Sequence, residues 1–388
     1  MARKAREKPL AAGHRRVPVL GGAAIDVDVA ALGLDADALG RVVAVPSFVD
    51  LCCDPGFPGF PVRETPDSLV VAARCGGFSA LLCSPRVDPM VDVPENLGRL
   101  GVRGGVRLLQ AAAITRGLRC EELTEVGLLW RAGAVALSDG GVPHADTTVL
   151  RNALEYAREF DLVVLLRPAD ADLDPLGVVH DSPLATRLGL RGNPAATEEI
   201  GVSRAVALCR ATGAAVHLTH LCTAVGVELL DRAQRAGLPI TGSTPARNLV
   251  LDENDVDDGA YDARYRLHPP LRGASDRAAL VDAVRAGVMG LAADHQPRAP
   301  EEKDHEFERA VPGSTGLETA FAAALTALGS VEEVVAALSA APRSLLGIED
   351  RSLTLVDPGG QTIAAPPGGR HRSAALANRV LRGRVLGM

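Results

Sequence analysis

The sequence is poor in aromatic residues and has no long apolar run. Aromatic residues make up 3% of the 388 residues, so the core must be built from Ala, Val and Leu, and stacking platforms for single-stranded nucleic acid are not expected. No apolar stretch reaches the roughly 18 residues that a membrane-spanning helix needs. The basic start of the chain, Met1 to Lys8, is not followed by an apolar segment of signal-peptide length. We therefore expect a cytoplasmic protein with no membrane partner.

Cysteine motifs and excess positive charge are also missing. The seven cysteines are odd in number and include no CxxC pair, which argues against a disulfide framework and against a zinc ribbon. The formal net charge of −7 gives no electrostatic reason to bind nucleic acid. Hydrophobic residues make up 47% of the chain, which is typical of a globular protein with a large core.

Short apolar runs alternate with amphipathic patterns along most of the chain. The eight strand candidates are Val45 to Leu51, Ala80 to Cys83, Arg107 to Ala112, Ala134 to Leu137, Leu162 to Leu166, Ala215 to Leu218, Leu238 to Thr241 and Val288 to Ala292. The clearest helical patterns are Thr147 to Glu159, Thr197 to Ala211, Ala224 to Arg235 and Ser275 to Ala286, the last with Ser275 as the expected N-cap. This alternation predicts a (β/α)8 barrel of the TIM type, with a doubly wound sheet as the alternative.

The two ends of the chain lie outside this alternation. Residues 1–44 and 346–388 do not continue the strand and helix rhythm, and the C-terminal end is rich in Pro and Gly. We expect them to form a small β-rich appendage beside a barrel of residues 45–345, with Met1 to Ala12 disordered.

Short motifs follow the predicted strands in a fixed order. They are Phe48 to Asp54 with Pro58-Gly59, Gly76-Gly77-Phe78, Ser138-Asp139-Gly140-Gly141, His217 to His220, Pro269 to Arg272, Asp294-His295, Glu301 to Lys303 and Gly316 to Thr319. Taken together they resemble the motifs of the dihydroorotase family of the amidohydrolase superfamily, over roughly Val45 to Leu345. The resemblance implies hydrolytic opening or closing of a dihydropyrimidine ring at the carboxyl ends of the barrel strands, with one or two zinc ions and an Asp after strand eight.

Most metal positions that the resemblance implies carry residues unsuited to zinc. The positions of the two opening histidines, the bridging Asp and the strand-five His align with Cys52, Asp54, Gly140 and Arg167. Only His220 and Asp294 keep the family's residue types. Because two ligands on separate strands cannot hold zinc with useful affinity, we expect no cofactor, no metal and no catalytic residue.

The substrate contacts implied by the resemblance have changed as well. The Arg that grips the substrate carboxylate aligns with Gly56, the Asn after strand two aligns with Arg86, and a His of a Pro-His-His run aligns with Ala246. A glycine cannot make a bidentate carboxylate clamp. Substrate binding in the family's pose is therefore not expected, independently of the metal.

Without a metal, Asp294 would lie partly buried at the mouth of the barrel, where the carboxyl ends of the strands meet, with no cation beside it. A buried carboxylate without a cation destabilises the fold, so we expect another cation to replace the metal. We hypothesise that Arg167, helped by Arg86 or Arg247, fills the space and pairs with Asp294 or Asp54, because a guanidinium fork satisfies several acceptors at once. Alternatively, these arginines point to solvent, or they form a pocket for a carboxylate or phosphate regulator.

Three functions remain open from the sequence. The leading hypothesis is a non-catalytic dihydroorotase-like protein that assembles, by resemblance, with the aspartate transcarbamoylase catalytic subunit in pyrimidine biosynthesis, as part of an oligomer. The second is an active zinc-dependent cyclic amidohydrolase with a mononuclear site of His220 and Asp294, helped by Cys52 or Asp54. The third is an anion-binding sensor that uses the arginine-lined mouth.

Overall fold

The computed structural model describes residues 14–98, 100–144, 146–174, 177–257, 261–364 and 373–388. Its strands, in chain order, are β1 (His14–Val17), β2 (Ile25–Asp28), β3 (Val43–Pro46), β4 (Phe48–Cys53), β5 (Phe78–Cys83), β6 (Gly101–Arg103), β7 (Val106–Ala113), β8 (Ala136–Ser138), β9 (Val163–Leu166), β10 (Val179–His180), β11 (Gly192–Asn193), β12 (Val216–Leu218), β13 (Ile240–Pro245), β14 (Gly290–Ala292), β15 (Leu353–Ile363) and β16 (Val380–Gly387).

The α-helices lie mostly between these strands. They are α1 (Ala36–Arg41), α2 (Pro66–Cys75), α3 (Val126–Ala132), α4 (Thr147–Arg158), α5 (Pro183–Leu188), α6 (Ala196–Thr212), α7 (Ala224–Arg235), α8 (Ala274–Arg285), α9 (Pro300–Lys303), α10 (Ala320–Leu328), α11 (Val331–Val335) and α12 (Ala341–Leu346). In the described residues, no helix is long and apolar enough to cross a membrane.

Eight parallel strands form a nearly closed barrel, which confirms the predicted (β/α)8 fold and excludes the doubly wound sheet. Neighbouring strands pair in the order β4, β5, β7, β8, β9, β12, β13 and β14. The ring closes between its first and last strands through a bridge from Cys53 to His295, and the Asp50 carboxylate accepts a hydrogen bond of 2.8 Å from the Ala293 amide. The carboxyl ends of all eight strands therefore meet at one mouth.

The predicted helices form close to their expected bounds because apolar side chains repeat on one face. In α4 the buried residues Leu150, Ala153, Leu154 and Ala157 follow the helical period. The prediction of Ser275 as an N-cap was wrong. Helix α8 begins at Ala274 with Gly273 as its N-cap, so Ser275 already lies inside the first turn.

The terminal segments add small sheets beside the barrel, as predicted. Strand β15 pairs antiparallel with β3 and β16, and β1 pairs with β2. The predicted first strand, Val45 to Leu51, is broken at Ser47, whose amide donates to the Ser352 carbonyl at 2.9 Å. The residues before this break join the appendage, and those after it enter the barrel. The predicted disorder of Met1 to Ala12 lies outside the described residues.

Candidate functional site

The mouth of the barrel holds a cavity of about 730 Å³, open solvent included. It lies where the carboxyl ends of the strands meet, which is where TIM barrels carry their chemistry. The polar and thiol side chains that line it are Cys52, Cys53, Asp54, Cys83, Ser84, Arg86, Ser138, Asp139, Arg167, Thr219, His220, His268, Asp294 and Gln296. One cavity thus brings together seven of the expected site residues, namely Cys52, Asp54, Arg86, Gly140, Arg167, His220 and Asp294.

Asp294 is the most completely bonded carboxylate of the mouth. His220 Nε2 lies 2.8 Å from its Oδ1, and Gln296 Nε2 donates to the same oxygen at 2.6 Å. Its Oδ2 accepts a hydrogen bond from Arg247 Nη2, and Arg247 Nη1 donates to the Asp294 carbonyl at 3.1 Å. Both Asp294 and His220 have positive φ angles, 49° and 59°, so each side chain leaves its strand end at a turn.

Two neighbouring side chains, His220 and Arg247, determine the electrostatics of Asp294. Burial alone would raise the pKa of this carboxyl, but His220 and Arg247 together hold its pKa well below the usual value. Asp294 is 1% exposed and Arg247 is 6% exposed. The carboxylate is therefore charged, and a guanidinium supplied by the chain neutralises it.

Arg167 makes a different pair from the one expected. Its two terminal nitrogens donate to the two oxygens of Asp174 at 2.9 and 2.7 Å, and its Nε donates to the Gly141 carbonyl at 2.7 Å. His268 Nε2 lies 2.8 Å from Oδ2 of the same Asp174. Burial raises the pKa of Asp174, but His268 and Arg167 outweigh that effect and lower it. Arg167 does not make the expected pair with Asp294 or Asp54, because both of its terminal nitrogens are bonded to Asp174 of the following loop.

Asp54 is also occupied by arginine. Arg298 Nη1 donates to its Oδ2 at 3.1 Å, while Arg86 Nη2 lies 3.9 Å from the same oxygen. The Gly56 amide donates to Asp54 Oδ1 at 3.4 Å. The expected Arg86 contact with Asp54 is therefore long, and the close partner, Arg298, was missed.

Cys52 is a protonated thiol in these surroundings. Burial, followed by the charges of Asp50 and Asp294, raises the pKa of the Cys52 thiol well above its usual value. Burial also raises the pKa of the Asp50 carboxyl to about 6. Because zinc binds the thiolate and not the thiol, a zinc ion could bind Cys52 only by releasing this proton.

Neighbouring atoms occupy the space beside Gly140 and Gly56, two positions where the residue type implied by the resemblance has changed. Gly140 has φ of 59°, and a Cβ atom added there would lie 2.5 Å from Leu118 Cδ1, so an aspartate at 140 would require the Leu118 side chain to move. Gly56 has φ of 67°, and an added Cβ would lie 3.2 Å from Glu64 Cβ and from the Glu64 backbone nitrogen. Ala246 is buried in a turn of 3-10 helix, Ala246–Leu249, beside Arg247.

The donor set does not fit a zinc ion. Within the parts of the chain that the structure describes, no group of three or more His, Cys, Asp or Glu is arranged to hold a metal. The retained His220 and Asp294 are bonded to one another, and Arg247 brings a positive charge to that carboxylate. A zinc ion at Asp294 would have to displace the buried guanidinium of Arg247. These residues therefore favour the Arg247 ion pair over a metal.

Two other histidines of the sequence motifs have structural contacts. His217 lies between the hydroxyls of Thr241 and Ser243, at 2.8 and 2.9 Å. His295 Nε2 lies 3.0 Å from Glu64 Oε2, and both side chains are buried. Sequence reasoning missed Asp174, Arg298, Gln296 and His268, because these residues lie in loops without a periodic pattern.

The barrel shares its fold with solved structures of hydantoinases and of a dihydroorotase. The L-hydantoinase (dihydropyrimidinase) from Arthrobacter aurescens superposes with a TM-score of 0.77 at 18% identity, covering 90% of this chain and 85% of that one. A dihydroorotase in complex with 5-fluoroorotic acid from Saccharomyces cerevisiae gives a TM-score of 0.69 at 14% identity, covering 89% and 98%. At these identities the likeness shows the fold alone.

The amino-acid sequence identifies the family. Residues 40–225 match the family described as dihydro-orotase-like. A relative named dihydroorotase from Anaeromyxobacter dehalogenans (strain 2CP-1 / ATCC BAA-258) is 39% identical over 321 residues, 80% of this chain and 74% of that protein. Another from Pelotomaculum thermopropionicum is 35% identical over 367 residues, 90% and 84%. The chain belongs to the dihydroorotase-like family.

Proposed function

We propose that this protein is a non-catalytic dihydroorotase-like protein and a structural or regulatory subunit of an aspartate transcarbamoylase complex in pyrimidine biosynthesis. The observation that carries the first part is the ion pair between Arg247 and Asp294. It places a permanent cation on one of the two family residues that this chain keeps. The relatives are named dihydroorotase, and these names support a role in pyrimidine metabolism.

Metal-assisted hydrolysis needs at least three placed ligands and an open position for water. In this chain Asp54 is bonded to Arg298 and the Cys52 thiol is protonated. Arg167 stands at the position implied for a histidine and is bonded to Asp174. Two of the implied ligand positions, 54 and 167, thus carry internal ion pairs, and Cys52 carries a neutral thiol. These features support a barrel that is kept for its shape and surface.

Exposed aromatic side chains on the outer surface of the barrel support the proposal that it binds a protein partner. Trp130, the single tryptophan of the chain, is 45% exposed on α3, and Tyr156 is 54% exposed on α4. The Trp130 ring lies 5.3 Å from that of Phe160, which lies in the turn that follows α4. Tryptophan and tyrosine are enriched where proteins bind one another.

The second candidate function is zinc-dependent hydrolysis of a cyclic amide. The names of the relatives favour it, since those proteins are called dihydroorotase. It would use His220 and Asp294 with Cys52 or Asp54, and it requires Arg247 to leave Asp294. Metal binding would then compete directly with the Arg247 ion pair.

Size-exclusion chromatography with light scattering tests the partner. The full chain is mixed with the aspartate transcarbamoylase catalytic subunit of the same organism. We expect one complex of higher mass, and we expect Trp130→Ala with Tyr156→Ala to weaken it at least tenfold. Tyr261→Ala is the matched control, because Tyr261 is also 45% exposed. Separate elution of the two wild-type proteins at micromolar concentration would contradict the proposed assembly.

A further inference from the structure

A second cavity lies at the amino ends of three neighbouring barrel strands, on the opposite side of the barrel from the mouth. It is bounded by the starts of β12, β13 and β14, by the last turns of α7 and α8, and by residues 336–345. Its volume is about 1270 Å³, open solvent included. We call it the floor cavity. The buried Leu51 lines both the floor cavity and the mouth, so the two cavities are neighbours across the barrel interior.

Small side chains create the space of the floor cavity. Glycine or alanine occupies seven of the positions that line it, among them Gly290 on β14 and Ala336, Ala337 and Ala341. In the described part of the chain, none of the exposed large hydrophobic side chains lines the cavity. The cavity is therefore a recess that a small molecule can enter, and it offers no protruding apolar side chain to a protein partner.

Hydrogen bonds hold two walls of the floor cavity in place. Gln234 Nε2 donates to the Val288 carbonyl at 2.9 Å, which ties the end of α7 to the segment before β14. Another wall includes a π-helical turn, Ala336–Ala340, whose buried Ser339 hydroxyl donates to the Ser47 carbonyl at 2.9 Å. Turns of π-helix are rare and are frequent at functional sites. Walls that are fixed before binding lower the entropy cost of holding a ligand.

The floor cavity carries no ionised side chain. None of the described residues that line it is Asp, Glu, Lys or Arg. Its histidine, His217, has its two ring nitrogens at 2.8 and 2.9 Å from the hydroxyls of Thr241 and Ser243, and burial lowers the pKa of this imidazole to about 3. A charged ligand would therefore lose water here without gaining an opposite charge. Thr241 is exposed, and its hydroxyl can make further hydrogen bonds beyond the one with His217.

We infer that the floor cavity binds a neutral, mainly apolar aromatic molecule that carries one hydroxyl or carbonyl group, with that group bonded to Thr241. The volume of the recess, its fixed walls and its uncharged lining support this class of ligand, because such pockets are apolar with a few polar groups that orient the ligand. The inference goes beyond the proposed function, since it places a ligand at the end of the barrel away from the mouth and involves no turnover.

Fluorine NMR of the full chain with 4-fluorophenol and, separately, with 4-fluorobenzoate tests the site. We expect the phenol to bind with Kd below about 1 mM, and the benzoate to bind about tenfold more weakly or worse, because no cation lines the cavity. Ala336→Phe fills the cavity and should weaken binding of the phenol by about tenfold or more. Ala340→Phe should leave it unchanged. It is the matched control, because Ala340 is exposed on the same π-helical turn and does not line the cavity.

A second filling variant guards against a fold defect. Ala341→Phe enters the cavity from the start of α12 and should weaken binding as Ala336→Phe does. No binding of 4-fluorophenol below about 10 mM, or equal binding by wild type and a folded filling variant, would overturn the site. Tighter binding of the benzoate would place the ligand at the arginine-lined mouth and would also overturn it. Zinc content and hydrolysis at the mouth decide the proposed function separately from this titration.

Discussion

Arg247 and Asp294 form a buried ion pair in which one guanidinium bonds both the carboxylate and the main-chain carbonyl of the same aspartate. The two side chains are 6% and 1% exposed. His220 and Gln296 bond the other carboxylate oxygen. The charge of Asp294 is thus neutralised from within the chain.

Removing Arg247 should destabilise the protein strongly. Arg247→Met leaves Asp294 buried with only His220 as a possible cation, and breaking a buried pair from one side costs about 3–5 kcal/mol. Urea unfolding followed by circular dichroism measures the change. Arg103→Met, at an exposed arginine, should change the free energy of unfolding by less than about 0.5 kcal/mol. Equal free energies of unfolding for Arg247→Met and wild type would show that the ion pair of Arg247 with Asp294 does not stabilise the barrel.

The Arg167 and Asp174 pair should show coupling in a double-mutant cycle. Both side chains are 4% exposed, and both terminal nitrogens of the arginine reach a carboxylate oxygen. We expect Arg167→Met and Asp174→Asn each to lower the free energy of unfolding by several kcal/mol, about 3–5 for the arginine. The double variant should lose less than the sum, with a coupling of about 1–3 kcal/mol. Strict additivity would mean that the two groups act independently.

Restoring the family's acidic residue at position 140 should not restore a metal site. Gly140→Asp forces a side chain into the space of Leu118 and requires a positive φ, which together should cost about 1–3 kcal/mol. We expect Gly140→Asp with Leu118→Ala to recover part of the stability lost by the single variant. Neither variant should gain zinc in a metal analysis after dialysis. Tight zinc binding by Gly140→Asp would show that Leu118 does not block this position.

Because of Lys303, the free energy of unfolding should increase as the pH is raised above neutral. Burial, and then the charges of Arg298 and Arg266, lower the pKa of its ammonium to about 7, while the unfolded chain keeps an ordinary value near 10.4. Between these values the unfolded state binds more protons, so the free energy of unfolding rises with pH, by at most about 1.4 kcal/mol per unit. Unfolding of wild type and Lys303→Met between pH 7 and pH 10 measures the difference. Parallel curves for the two proteins would contradict a buried, depressed Lys303.

The barrel could be predicted from the sequence because its strands are short apolar runs separated by amphipathic helices, and this periodicity survives without tertiary information. The break at Ser47 could not, since Val45 to Leu51 reads as one continuous apolar strand. The break depends on Ser352, which lies some three hundred positions further along the chain and reaches Ser47 only in the fold.

The arginine at the mouth could be predicted from the sequence, but its partner could not. The position of Arg167 at the end of β9 follows from strand order. The choice of Asp174 follows from how the next loop returns over the mouth, and Arg298 reaches Asp54 through another loop. Loop paths carry no period in the sequence, so the ion pairs that depend on them emerge only from the structure.

Zinc content and dihydroorotate hydrolysis, measured on one sample purified without chelator, test the central claim most directly. The dihydroorotase from Anaeromyxobacter dehalogenans, prepared in parallel, is the positive control. We expect this chain to hold less than about 0.1 zinc per molecule and to show no turnover, because Asp54 and Asp294 are bonded to arginines. About one tightly held zinc per chain, with turnover that is lost in Asp294→Asn and in Cys52→Ser, would contradict the account.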